Sequence, residues 1–148
     1  MDIMVAVEED IPALCELLEV LFTQEAEFQP DREAQIRGVS QILRNPHTGA
    51  ILVARHDGRV VAMVNLLYTV STALGARVAL LEDMVVSPDA RGRGVGSQLL
   101  DHAIGYAASH GCKRITLLTD ATNEAAQRFY GRRGFAHSEM IPMRLTLE

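Results

Sequence analysis

Cysteine and lysine are scarce in this chain. Its 148 residues include two cysteines, Cys15 and Cys112, with no metal-ligand or redox spacing between them. That argues against a disulfide framework and a thiolate metal site, and buried, reduced thiols are expected, a disulfide being the alternative. Lys113 is the only lysine, so arginine carries nearly all the positive charge. The net charge of −5 argues against a general nucleic-acid binder but leaves room for a locally basic pocket. No apolar run reaches the length of a membrane span, so no membrane partner is expected. The opening MDIMVAVEED is acidic and lacks a basic-then-apolar signal segment, which points to a cytoplasmic protein. Repeats, low-complexity tracts and linkers are missing too. His47, His56, His102, His110 and His137 are scattered without metal spacing, and no metal is expected. What remains is 48% hydrophobic and 22% charged, the composition of one globular domain spanning 1–148.

Period and punctuation give the elements. Met4 to Val7 reads as a short edge strand. Asp10 can cap a helix with Pro12 in its first turn. Ile11, Leu14, Leu17, Leu18, Leu21 and Phe22 then fall at helical spacing. Thr23 to Pro30 reads as an acidic loop, with Glu25, Ala26, Glu27 and Phe28 at its centre. A second helix is expected from Asp31 to Leu43, stopped by Asn45-Pro46. Ala50 to Arg55 and Arg59 to Thr69 are β-rich runs around Asp57-Gly58, a strong hairpin signal. A third strand is expected from Arg77 to Val86, and a helix from Gly94 to His110 with Gly111 behind it. Arg114 to Leu118 reads as a strand and Asn123 to Arg132 as a helix ended by Gly134. Phe135 onward and Pro142 to Leu147 read as closing strands. The order is βααβββαβαββ.

The stretch LEDMVVSPDARGRGVG, Leu81 to Gly96, is the most informative. An apolar strand is broken by Pro88 and Asp89. A loop with Arg91, Gly92, Arg93, Gly94 and Gly96 follows and feeds a helix. Such a loop aims several backbone N–H groups at one point, and the helix dipole adds partial positive charge. Glycines admit close approach and arginines add full charge, which suits a pyrophosphate. A dinucleotide fingerprint needs G-x-G-x-x-G near the first strand, and Ser97 stands where its third glycine should be. A Walker A loop needs Gly-Lys-Ser/Thr, which is absent. A nucleotide-binding module would bind ATP or NAD here.

Arg91 to Gly96 as R-x-x-G-x-G, after a strand and before a helix, resembles the acetyl-CoA loop of the GCN5-related N-acetyltransferases. Asn123-Glu124-Ala125-Ala126-Gln127-Arg128-Phe129-Tyr130 followed by Gly134-Phe135 is similar to that family's second motif. The motif-level similarity runs from about Leu80 to Phe135. The stretch Glu82-Asp83-x-Val-Val with Arg91-Gly92 is also similar to glucosamine-6-phosphate N-acetyltransferases. The resemblance implies an α+β, three-layer fold with helices on both faces. Its mixed, mostly antiparallel sheet would splay in a V between two central parallel strands, about 80–86 and 114–119.

The same resemblance implies the site. Backbone groups of Met84, Val85 and Val86 would pair with the pantetheine arm of acetyl-CoA. Amides of Arg91, Gly92, Arg93, Gly94, Val95, Gly96 and Ser97, with the Arg91 and Arg93 side chains, would hold the pyrophosphate. Asn123 would contact the pantetheine or order the loop after its strand. An N–H near Val85 would serve the oxyanion. Transfer of acetyl to an amine needs a neutral amine and a protonated leaving thiolate. Tyr130, a phenol protonated at neutral pH, is the acid expected for the sulfur. Glu82 and Asp83 are adjacent acids in an apolar strand, where carboxylates are costly unless they work or are paired. Alternation sends them to opposite faces. Either could be the base, Glu82 being the first choice. The acceptor is a small-molecule amine or a peptide amine, and family analogy suggests a homodimer through Ile141 to Leu147. The rival reading is an acyl-CoA-binding sensor that keeps the loop and has lost the chemistry.

Overall fold

The computed structural model describes residues 1–24 and 30–148. Glu25, Ala26, Glu27 and Phe28 of the expected acidic loop lie outside them. The described chain forms two compact units, Met1–Leu118 and Thr119–Glu148.

The larger unit is built on one sheet. Strands β1 (Asp2–Val5), β2 (Gly49–His56), β3 (Arg59–Ser71), β4 (Ala76–Val86) and β5 (Ile115–Leu117) lie side by side in chain order. The first four pair antiparallel, and β4 pairs with β5 in parallel. Between β2 and β3 the chain turns at Asp57 and Gly58, whose φ values of 50° and 78° match the right-handed twist of a tight hairpin. The fold is the expected α+β arrangement, with the parallel pair at the end of the described sheet rather than in its middle.

Helices cover both faces of this sheet. α1 (Ile11–Gln24) and α2 (Arg32–Leu43) press Leu14, Leu17, Leu18 and Val39 against Ile51, Val53, Met63 and Val85. The alternate residues Leu52, Val64 and Leu66 are also fully buried, on the other face. There α3 (Val95–Ser109) packs on β2, β3 and β4 through Leu99, Leu100, Ala103 and Ala107. Two covered faces explain why β2 reads as a continuous apolar run instead of an alternating one. Asp31 caps α2 by accepting the Ala34 amide at 3.2 Å, as a helix start requires. Asp10 has a different job from the one expected. It closes a 3-10 turn before α1 by accepting the Val7 amide and pairs with Arg55. No helix among the described residues is long and apolar enough to cross a membrane.

The smaller unit contains α4 (Glu124–Gly131), capped by the Asn123 side chain on the Ala126 amide at 3.0 Å. The closing strands expected from Phe135 and from Pro142 to Leu147 are not formed. Met140, Ile141, Met143, Leu145 and Leu147 are exposed instead. Apolar alternation makes a segment compatible with a strand, but a ladder partner is needed to make it one. Pro142 also removes an N–H from any such ladder.

Candidate functional site

The pairing of β4 with β5 ends at Leu81 opposite Leu117. Strand β4 runs on to Val86, so the edge of residues 82–86 facing away from β3 has no strand partner among the described residues. The backbone N–H and C=O groups of residues 82–86 that do not point at β3 lie on that edge and offer hydrogen bonds to an extended ligand, although the Val86 carbonyl already accepts from Arg91 Nε. The pairing stops where β5 itself ends, at Leu117.

A bulge sits in the same segment. Asn65 opposes Glu82, and Met63 opposes Val85, so Asp83 and Met84 together face Val64. Asp83 takes φ +55°, a left-handed conformation that aspartate adopts more readily than most residues. The strict alternation expected to send Glu82 and Asp83 to opposite faces is therefore interrupted. Instead, the register sets Glu82 across from Asn65, and the Asn65 side-chain amide donates to Asp83 Oδ2. Glu82 is exposed, whereas Asp83 is partly buried. Burial pushes the Asp83 carboxyl up to about 6. The Asn65 hydrogen bond opposes that rise and the neighbouring Glu82 charge adds to it.

After Val86 the chain makes a 3-10 turn, Pro88–Ala90. Ser87 Oγ donates to Asp89 Oδ1 at 2.6 Å, and Arg59 Nη2 donates to Asp89 Oδ2 at 2.7 Å. The Ser87 and Arg59 hydrogen bonds hold the exposed Asp89 carboxyl below its usual range. They also tie the turn to the β2–β3 hairpin. Arg91 Nε donates to the Val86 carbonyl at 3.1 Å, which folds the loop back on the end of β4. Arg93 is exposed.

Gly92 and Gly94 have φ of 80° and 77°, where a Cβ would be strained. Gly94 is the N-cap of α3 and has no side chain to satisfy the first amides of the helix. The N–H groups of Val95, Gly96 and Ser97 thus sit at an uncapped N-terminus, with the dipole behind them. Charge, backbone donors and the strand edge all lie within residues 82–97. The residues present fit a ligand with an extended arm and a polyphosphate group.

In the smaller unit, Asn123 caps α4. The Tyr130 ring meets Phe129 and Phe135 edge-on, with centroids 5.1 and 5.7 Å away. Burial pushes its phenol up to about 12, so it is a hydrogen-bond donor across the neutral range. Among the described residues no cluster of His, Cys, Asp or Glu could hold a metal ion.

Asn65 is the site residue that the sequence reading missed. Its signal was present: it is a lone amide in the apolar run VVAMVNLL of β3, and it is 2% exposed. A buried amide in such a run needs a partner, and Asp83 is it.

Comparison with known proteins gives a consistent family. The model described as the Acetyltransferase (GNAT) family matches residues 11–135. The uncharacterized N-acetyltransferase YhfO of Bacillus subtilis is 32% identical over 118 residues, 78% of this chain and 78% of its own. An aminoalkylphosphonate N-acetyltransferase of Salmonella typhimurium is 30% identical over 133 residues, 90% of this chain and 83% of its own. A Trypanosoma brucei acetyltransferase of known structure superposes with a TM-score of 0.77 at 29% identity, covering 99% of both chains.

Proposed function

The chain belongs to the acetyltransferase (GNAT) family, and on that premise we propose that it moves an acetyl group from acetyl-CoA to a small primary amine by direct attack in a ternary complex. The observation that carries this reading is the run from the unpaired edge of β4, through Gly92 and Gly94, to the uncapped start of α3. In it, Met84 to Val86 bind the pantetheine arm through backbone groups. The amides of Arg91 to Ser97 and the two arginines hold the pyrophosphate. Acetyl-CoA supplies the activated thioester.

The chemistry left to the protein is proton movement and charge stabilisation. An amine at neutral pH is mostly ammonium and must lose a proton before it attacks. Asp83 takes that proton, directly or through water. Its carboxylate is desolvated by burial and holds a proton more tightly than an exposed one, as a base working near neutral pH should. Glu82, exposed and next to it, draws the cationic acceptor by charge. An N–H near Val85 steadies the oxyanion, and Tyr130 protonates the departing sulfur. Asn123 orders the start of α4. The same reading keeps the protein a cytoplasmic enzyme.

The alignment with the aminoalkylphosphonate enzyme spans 90% of this chain, which puts small aminoalkyl acids first among acceptors. The test is free-thiol release from acetyl-CoA against aminoalkylphosphonates, glucosamine 6-phosphate, amino acids, spermidine and an aminoglycoside. Release that depends on an amine supports the reading, and the preferred amine names the acceptor class. Tight acetyl-CoA binding without release for any amine would favour an acyl-CoA-binding sensor.

A further inference from the structure

Strand β3 is apolar from Val60 to Leu67 except at Asn65. That residue is 2% exposed, and an amide at this depth loses its water on both ends. Only one end is compensated. Nδ2 donates to Asp83 Oδ2 at 2.5 Å, while Oδ1 is buried with no partner among the described residues. A valine or leucine would fill this position in an apolar strand with no orphaned oxygen. The amide is therefore poorly accounted for by packing and well accounted for by what it touches.

What it touches is the irregular point of β4. Asp83 has a left-handed backbone and lies in the bulge opposite Val64, and the regular register resumes at Met63 and Val85. A short side chain on a bulge has several rotamers open to it. The Asn65 donor selects one of them and fixes which carboxylate oxygen remains for other partners. A donor directed at a carboxylate also favours its charged form. The charged group acting on Asp83 from its own strand is Glu82, and from β3 the facing group is Asn65 itself.

We propose that Asn65 is a positioning residue, which holds the Asp83 carboxylate in one orientation on the bulge and keeps it ionised at the pH where the amine must be deprotonated. The catalytic half of this statement rests on the assignment of Asp83 as base. The half that concerns Asn65 and Asp83 does not.

The test compares wild type with Asn65→Leu, close in shape and without a donor, and with Asn65→Ser, which retains a short one. Carbon-13 NMR follows titration of the Asp83 carboxyl in the free protein, with Asp83→Asn used to assign the signal. The pH profile of kcat/KM is measured on the same samples. In Asn65→Leu the Asp83 midpoint rises by about one unit, a tenfold tighter hold on the proton. The ascending limb of kcat/KM moves up with it, while KM for the amine stays within about threefold. Asn65→Ser lies between the two, and decides the matter alone if Asn65→Leu does not fold. An unmoved Asp83 midpoint in a folded variant overturns the proposal. So does a rate that falls equally at every pH, which would mark a purely structural role. A shifted midpoint with an unchanged kcat/KM profile upholds the Asn65–Asp83 relation and removes Asp83 from the role of base.

Discussion

The Arg55 guanidinium lies 2.6 Å from Asp10 Oδ2, and the Val7 amide donates to the same oxygen from 2.9 Å. The Asp10 side chain is 7% exposed and that of Arg55 20%. This pair joins the start of α1 to strand β2 across 45 residues of sequence. Removing one member leaves the other charge partly buried and unmatched. Asp10→Ala should therefore destabilise the protein by about 3 kcal/mol, which lowers Tm by roughly 10 °C in a domain of this size. Asp10→Leu with Arg55→Met should recover much of that loss, because a matched apolar pair leaves no orphaned charge. Thermal melts followed by circular dichroism decide it. A single variant that melts with wild type would show the pair to be energetically idle.

Gly94 combines φ +77° with open space, since a Cβ there meets no atom within 4 Å among the described residues beyond its own stretch of chain. Gly75, in the β3–β4 turn, has φ +63° and equally open surroundings. Valine at either position should cost about 1–2 kcal/mol of backbone strain. Only Gly94→Val should also weaken acetyl-CoA binding, by at least about tenfold in Kd, because it places a side chain on the loop assigned to the phosphates. Calorimetry on both variants separates strain from ligand contact. Equal affinities would remove the loop from the binding site.

Most of this framework was legible because local signals decided it. Asp57-Gly58 demanded a tight hairpin, Asp31 marked the start of α2, and Gly94 and Gly111 bracketed α3. Each of those features depends on a few neighbouring residues. The bulge at Asp83 does not: it exists because β4 has one more residue than β3 between two fixed pairings, and register is a property of two strands. The same reason hid Asn65, whose partner is 18 residues away. The segment from Phe135 failed in the opposite direction. Its alternation was genuine, but no neighbouring strand completes it in the described chain, and Met140, Ile141, Met143, Leu145 and Leu147 stay exposed.

Tyr130 can be tested without disturbing its packing. Its ring contacts are edges against Phe129 and Phe135, and phenylalanine preserves both. If the phenol protonates the leaving thiolate, Tyr130→Phe should lower kcat by roughly 10²- to 10⁴-fold with Kd for acetyl-CoA unchanged. Because burial holds the phenol near 12, no descending limb from Tyr130 should appear in the rate below about pH 10. Wild-type kcat in the variant would leave Tyr130 as an aromatic anchor of α4.

Asp83 should trade stability for chemistry, and pH makes the trade visible. Its carboxyl sits at about 6 in the folded protein against an ordinary 3.8, so the folded state holds this proton more tightly than the unfolded chain does. The sign is opposite to that of a salt-bridged aspartate. Its stabilising contribution is complete below pH about 4 and is lost as pH rises through about 6. A shift of about two units corresponds to about 2–3 kcal/mol lost by neutral pH. Asp83→Asn retains the shape and cannot ionise, so at pH 7 it should be more stable than wild type by an amount of that order. The excess should vanish near pH 4. The same substitution should lower kcat/KM by roughly 10²- to 10⁴-fold if Asp83 is the base, and Glu82→Gln should lower it far less. Denaturant melts at pH 4, 5, 6 and 7 measure the first effect, and thiol release measures the second. A variant that is no more stable at pH 7 would mean that the Asp83 charge is compensated in the folded state. A variant that is more stable but fully active would mean that the carboxylate is buried for some purpose other than taking the amine's proton.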